Sequence, residues 1–127
     1  MSNSVRILSI SDDDGLRYSR ELLLLNDGYE IESIASTAPL SVSRARSFDM
    51  AVICRSVERE RAMALADMLR RYNPEMQILC ISPLENQLDG CAADLEIPSG
   101  PEVILEAVRL MSTQKSMHKA YEASHQR

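Results

Sequence analysis

Short apolar runs alternate with helical patterns along almost the whole chain, and this alternation limits the fold more than any single motif does. Val5 to Ile10, Tyr29 to Ala35, Phe48 to Cys54, Met76 to Ile81 and Leu95 to Ile97 are five strand candidates. The third, FDMAVIC, is apolar except for one Asp, as a strand covered on both faces must be. Helical segments lie between them. The first opens at Asp12 to Asp14, whose carboxylates can accept the orphan amides of a first turn, and stops at Gly28. Its run Leu22 to Leu25 is apolar on more than one face and needs a sheet or a partner against it. Pro39 to Arg46 reads as a short helix opening at a proline. Val57 to Tyr72 repeats Ala62, Leu65, Ala66, Leu69 and Tyr72 at helical spacing, with a charged wet side, and Asn73-Pro74 ends it. Leu84 to Cys91 is weakly patterned. Pro101 to Met111 sets Val103, Ile104, Ala107, Val108 and Met111 on one face. Strands and helices in this order predict an α/β fold, a doubly wound parallel sheet. Sites in such sheets lie at the carboxyl ends of the strands. That directs attention to Ser11 to Asp13, Cys54 to Ser56, Ser82 and Pro98.

The 127 residues suit one domain. Residues 1–112 carry the pattern, and residues 113–127 are a polar tail or an extension of the last helix. With one Phe and no Trp, the core must be built from Leu, Ile, Val, Met and Ala. A net charge of -5 argues against nucleic acid as a partner. No apolar run approaches the ~20 residues that span a bilayer. The opening MSNSVRILSI lacks a secretory layout, so a cytoplasmic protein with no membrane partner is expected. Cys54, Cys80 and Cys91 have no metal spacing and are expected as free thiols. His118 and His125, in the polar tail, read as solvated residues.

The strand ends carry a resemblance. From Arg6 to Met111 the chain resembles the receiver domain of bacterial two-component response regulators, in element order, spacing and length. RILSISDDDG matches a first strand ending in acidic residues, with Arg17, Leu24 and Gly28-Tyr29 at the family's intervals. FDMAVICRS resembles the third strand, MQILCIS the fourth, and CAADLEIPSGPEVILEAV the fifth strand and last helix. The resemblance implies a flavodoxin/CheY-like five-stranded sheet of order 2-1-3-4-5 with helices on both faces.

Receivers take phosphate on an Asp at the end of strand three. Two carboxylates after strand one bind Mg²⁺, a Ser or Thr follows strand four, and a Lys and a cis-Pro follow strand five. In this register the carboxylate pair falls on Ser11 and Asp12, with Asp13 one place later as a vestigial candidate. The nucleophile position falls on Cys54, the hydroxyl on Ser82, the lysine on Pro98, its cis-proline on Ser99 and the switch aromatic on Leu95. Asp12 and Ser82 match; the other groups are lost. A thiol has a different geometry and pKa from a carboxylate, and without lysine little meets the transition-state charge. The expectation is a degenerate, atypical receiver that is not an enzyme, binds magnesium weakly or not at all, and uses no cofactor.

The resemblance therefore implies a stand-alone receiver-like protein of two-component phosphorelay signalling. It would act by contact with a protein partner, or with a second copy as a homodimer, independently of phosphate. Receivers dock partners on the fourth helix, fifth strand and fifth helix; here that face involves Leu84, Leu88, Leu95, Glu102, Glu106 and Arg109. Two alternatives stand beside this reading. One is a thiol redox sensor centred on Cys54, with Cys80 on the neighbouring strand about 4.8 Å away. The other is a phosphoacceptor using a non-standard site at Asp12 or Asp13. Arg55, Arg59, Arg61, Arg70 and Arg71 make the third helix locally basic, which reads as a solvated face beside Glu58, Glu60 and Asp67.

Overall fold

The computed structural model describes residues 5–82, 94–98 and 100–125. The described elements are β1 (Arg6–Ile10), α1 (Asp14–Asn26), β2 (Glu30–Ile34), α2 (Val42–Ala45), β3 (Met50–Ile53), α3 (Arg59–Tyr72), β4 (Gln77–Ser82), β5 (Leu95–Pro98) and α4 (Pro101–His125). Every strand pairing is parallel and the sheet order is β2-β1-β3-β4-β5. This is the doubly wound 2-1-3-4-5 sheet expected from the sequence.

The strand pleat sorts the apolar residues into two cores. Ile7, Met50, Val52, Leu79 and Ile97 point to one face and pack with Leu24 of α1 and Ile104, Val108 and Met111 of α4. Leu8, Ile10, Ala51, Ile53 and Ile78 point to the other and pack with Ala45 of α2 and Ala62, Ala66 and Leu69 of α3. Alternate residues face opposite sides, so a strand filled with Val, Ile, Leu and Met supplies both cores at once. Each buried Leu or Ile contributes about 1.5–3 kcal/mol by leaving water.

Element boundaries differ from the expectation in informative places. The second helix does not open at Pro39, which is exposed. It opens at Ser41, whose Oγ accepts the Arg44 amide at 3.2 Å, so a hydroxyl cap overrides the proline signal. The third helix starts at Arg59 and not Val57, because the Val57 amide is spent on a turn to the Cys54 carbonyl at 3.1 Å. The four-leucine run of α1 sends Leu24 into the core, while Leu22 and Leu25 stay 42% and 47% exposed. Gly28 ends α1 with φ +93°, a left-handed backbone that side chains resist. β5 extends one residue further than expected, to Pro98, which pairs in register with Ser82. The last helix continues unbroken past Met111 to His125, which is the extension and not the tail of the two readings given for residues 113–127. Among the described residues, no helix is long and apolar enough to cross a membrane.

Candidate functional site at the carboxyl edge of the sheet

Register carries the predicted positions to one edge. Ile10, Ile53 and Cys80 are aligned across β1, β3 and β4, and Ser82 is aligned with Pro98. Ser11, Asp12, Cys54, Ser82 and Pro98 therefore all lie at or just past the carboxyl ends of the parallel strands. Leu84, Leu88 and Cys91 lie outside the described residues, as does Ser99.

The three aspartates after β1 do three different things. Asp12 faces the end of β2: its Oδ1 accepts the Ser36 amide at 2.7 Å and its Oδ2 accepts the Ser36 hydroxyl at 2.6 Å. Burial pushes the Asp12 carboxyl up. The Ser36 hydrogen bonds, with the charges of Arg61 and Arg17, outweigh that and hold it below its ordinary value. Asp13 caps α1, its Oδ1 accepting the Leu16 amide at 2.9 Å. Asp14, in the first turn, forms an ion pair with Arg17.

Ser11 is fully buried and closes the pocket from within. Its hydroxyl donates to the Asp13 carbonyl at 3.1 Å and lies 2.9 Å from the hydroxyl of Ser56. Ser56 in turn accepts the Asp12 amide at 3.0 Å. The loops after β1, β2 and β3 are thus stitched together by Ser11, Ser36 and Ser56.

Cys54 ends the third strand. Its amide donates to the Ile10 carbonyl at 2.9 Å and the residue is 3% exposed. Burial pushes the thiol up from its ordinary value, against the nearby positive charge of Arg20 and the polar side chains of Ser9, Arg20 and Ser11. Arg55, next to Cys54 in the chain, is exposed; the charge comes from Arg20 on α1, which is buried and only 7% exposed. Cys80 is no partner for it. Cys54 belongs to the core on the α1 and α4 side and Cys80 to the core on the α2 and α3 side, both as free thiols. The one-residue offset between them turns the two side chains to opposite faces, and a disulfide needs Cβ vectors that converge.

Of the predicted partner face, Glu102 and Glu106 are exposed on α4, and Leu95 is partly buried against the core. Arg109 is exposed on α4 as well, with its guanidinium engaged. It clamps Asp27 at the end of α1 through two hydrogen bonds of 2.9 and 2.6 Å, which hold the Asp27 carboxyl below its ordinary value. Helix geometry explains this: α4 packs against α1 as well as β5.

The residues present do not fit a receiver's magnesium site. In the register that the resemblance implies, one carboxylate place falls on Ser11, the carboxylate of Asp12 is turned to Ser36, and the place of the phosphate-accepting Asp falls on a buried thiol, a soft donor that Mg²⁺ disfavours. Among the described residues, no group of three His, Cys, Asp or Glu is placed to hold a metal. The residues missed in the sequence are Ser36 and Arg20, while Ser56 lies in the Cys54 to Ser56 stretch singled out at the end of the third strand. Arg20 had a readable signal, since it lies one helical turn before the buried Leu24 on the same face of α1.

No family model matches the chain, and no curated protein matches it. Solved structures do. A CheY-like response regulator receiver domain protein from Methanospirillum hungatei superposes with a TM-score of 0.74 at 23% identity, covering 91% of this chain and 98% of that one. The signal receiver domain of an HD domain-containing protein from Pseudomonas fluorescens gives 0.75 at 13% identity, covering 90% and 98%. A putative pilus assembly-related protein from Burkholderia pseudomallei gives 0.70 at 15% identity, covering 90% and 93%.

Proposed function

We propose that this chain, whose fold is that of CheY-like response regulator receiver domains, is a receiver-like signalling module that works by protein contact and not by aspartyl phosphorylation. One observation carries the reading: the place of the nucleophile at the end of β3 is held by Cys54, 3% exposed and with its thiol pushed up by burial. Around it the chemistry of phosphoryl transfer lacks its parts. Asp12 is committed to Ser36, and Pro98 supplies no cation where a lysine would meet phosphoryl charge. What remains is a rigid platform without catalysis of its own, suited to a pathway built from two-component parts and to the interior of a cell.

Incubation with acetyl phosphate and Mg²⁺ followed by intact-mass measurement tests this reading. We expect no acid-labile adduct of about 80 Da, the mass of one phosphoryl group. A stoichiometric adduct would overturn the reading in favour of a non-standard phosphoacceptor at Asp12 or Asp13.

The redox alternative requires an accessible, acidic thiol at Cys54. Burial and a raised pKa both oppose it. In native buffer near pH 7, Cys54 is expected to alkylate at least tenfold more slowly than the same thiol in denaturant; equal rates would revive the sensor.

A further inference from the structure

A shallow groove of about 320 Å³ runs between the segment after β2 and helix α3. Ala38, Pro39 and Leu40 form one wall, and Ala64, Leu65 and Met68 form the other. Arg61, Ala64, Leu65 and Met68 stand at i, i+3, i+4 and i+7, a single stripe of α3. Arg61 lines the groove at one end. Arg71 continues the stripe one turn past Met68, ~15 Å along the helix from Arg61. The small side chain of Ala64 leaves the middle open; Arg61 makes one end cationic, and Arg71 lies beyond the lining residues, one turn past Met68.

The charge around the groove runs against that of the molecule. Residues 42–72 hold seven arginines against four carboxylates, although the chain as a whole carries -5. Three of those arginines are engaged: Arg44 with Glu32, Arg46 with the Tyr72 carbonyl, and Arg70 with Asp94. Arg55, Arg59, Arg61 and Arg71 are exposed, and among the described residues none of them makes an ion pair or hydrogen bond. Arg61 reaches only as far as a long-range effect on Asp12. An aliphatic slot between unpaired cations is complementary to one kind of occupant.

We propose that this groove on the α2 and α3 side docks an acidic segment of a partner protein, one bulky apolar side chain seated over Ala64 with flanking carboxylates on Arg61 and Arg71. Nucleic acid fits poorly, because no groove-lining side chain is aromatic and bases would have nothing to stack on. The surface lies on the opposite side of the sheet from α4, so it is separate from the face that carries Glu102 and Glu106. The inference rests on the contact reading above and specifies where contact is made.

The full-length ¹⁵N-labelled protein should be titrated with a short peptide of Asp and Glu around a central leucine, and with its counterpart in which lysines replace the carboxylates. The expected result is amide shifts confined to residues 38–40 and 61–71 with the acidic peptide alone, weakening as salt is raised. Arg61→Glu and Arg71→Glu should each cost about tenfold in affinity, a typical loss for a reversed rim charge. Ala64→Phe, at an exposed site that tolerates bulk, should block binding by filling the slot, and Arg109→Ala should leave it intact. Equal binding of the lysine peptide, no shifts at all, tighter binding of a single-stranded oligonucleotide, or self-association abolished by Arg61→Glu would each overturn the proposal. Shifts centred on Glu102 and Glu106 would remove the groove and leave the contact reading standing; only the phosphoryl adduct removes that reading.

Discussion

Asp12, Asp13 and Asp14 are chemically identical neighbours, and their surroundings separate them. Asp13 is a helix cap, Asp14 an ion-pair partner, and Asp12 an acceptor for Ser36. The sign of the Asp12 contribution follows from its lowered pKa. The stabilisation is complete above the unfolded carboxylate value, begins to fall below about pH 4 and is lost as pH passes down through the lower folded value. Asp12→Asn is therefore expected to be less stable than the parent at pH 7, by about 1 kcal/mol or less given the site's exposure. The gap should close in urea melts at pH 2–3. A gap that is constant with pH would show that the charge of Asp12 does not matter. Asp27 is lowered too, so the variant keeps part of the parent's acid sensitivity. This level was only partly legible in sequence. A cap at the start of α1 follows from the residue type, but the Ser36 contact spans 24 residues and depends on where β2 ends. Cys54 was legible as a position through the register, and the buried Arg20 beside it only through the helical period that sets it on the Leu24 face of α1.

At the level of elements, the β–α alternation survived almost intact because it rests on the pleat and the helical period, which tertiary packing reinforces. Strand positions were readable for that reason, whereas the 2-1-3-4-5 order came from the resemblance to receivers. The helix ends were less so. Ser41 displaced Pro39 as the start of α2, and the last helix ran on past Met111, since no glycine or proline stands between Met111 and His125 to stop it. The expected docking face came from the resemblance to receivers, and it did not show that Arg109 reaches across to Asp27. Gly28 is the sharpest stop signal in the chain, and it makes a clean test. Its φ of +93° disfavours any side chain, while an added Cβ would meet nothing within 4 Å. Gly28→Ala should therefore lower stability by about 1 kcal/mol from backbone strain alone, with the fold retained. A neutral or stabilising effect in thermal unfolding would contradict that account.

For the whole molecule, the division into two cores has a measurable consequence. Leu24 belongs to the core under α1 and α4, and Leu69 to the core under α2 and α3, both fully buried. Leu24→Ala and Leu69→Ala should each cost 2–5 kcal/mol, on the order seen for buried leucines. Because the sheet separates them, the double variant should show the sum of the two to within about 0.5 kcal/mol. A larger coupling energy would mean that strain passes through the sheet. The same separation explains why Cys54 and Cys80, adjacent when strands are drawn side by side, lie in different compartments.

The last helix adds a mechanical property to this architecture. Its 25 residues span roughly 37 Å, whereas the longest strand beneath it, β4 with six residues, spans only ~20 Å. Its first half is gripped by the core, through Ile104, Val108 and Met111, and by the Asp27–Arg109 clamp, and the same helix runs on to His125. A tilt of about 5° where the clamp holds it displaces the last turn by roughly 2 Å over an arm of ~20 Å. Small adjustments in how the body packs are thereby turned into movement at a distance, with no covalent change at the strand ends required.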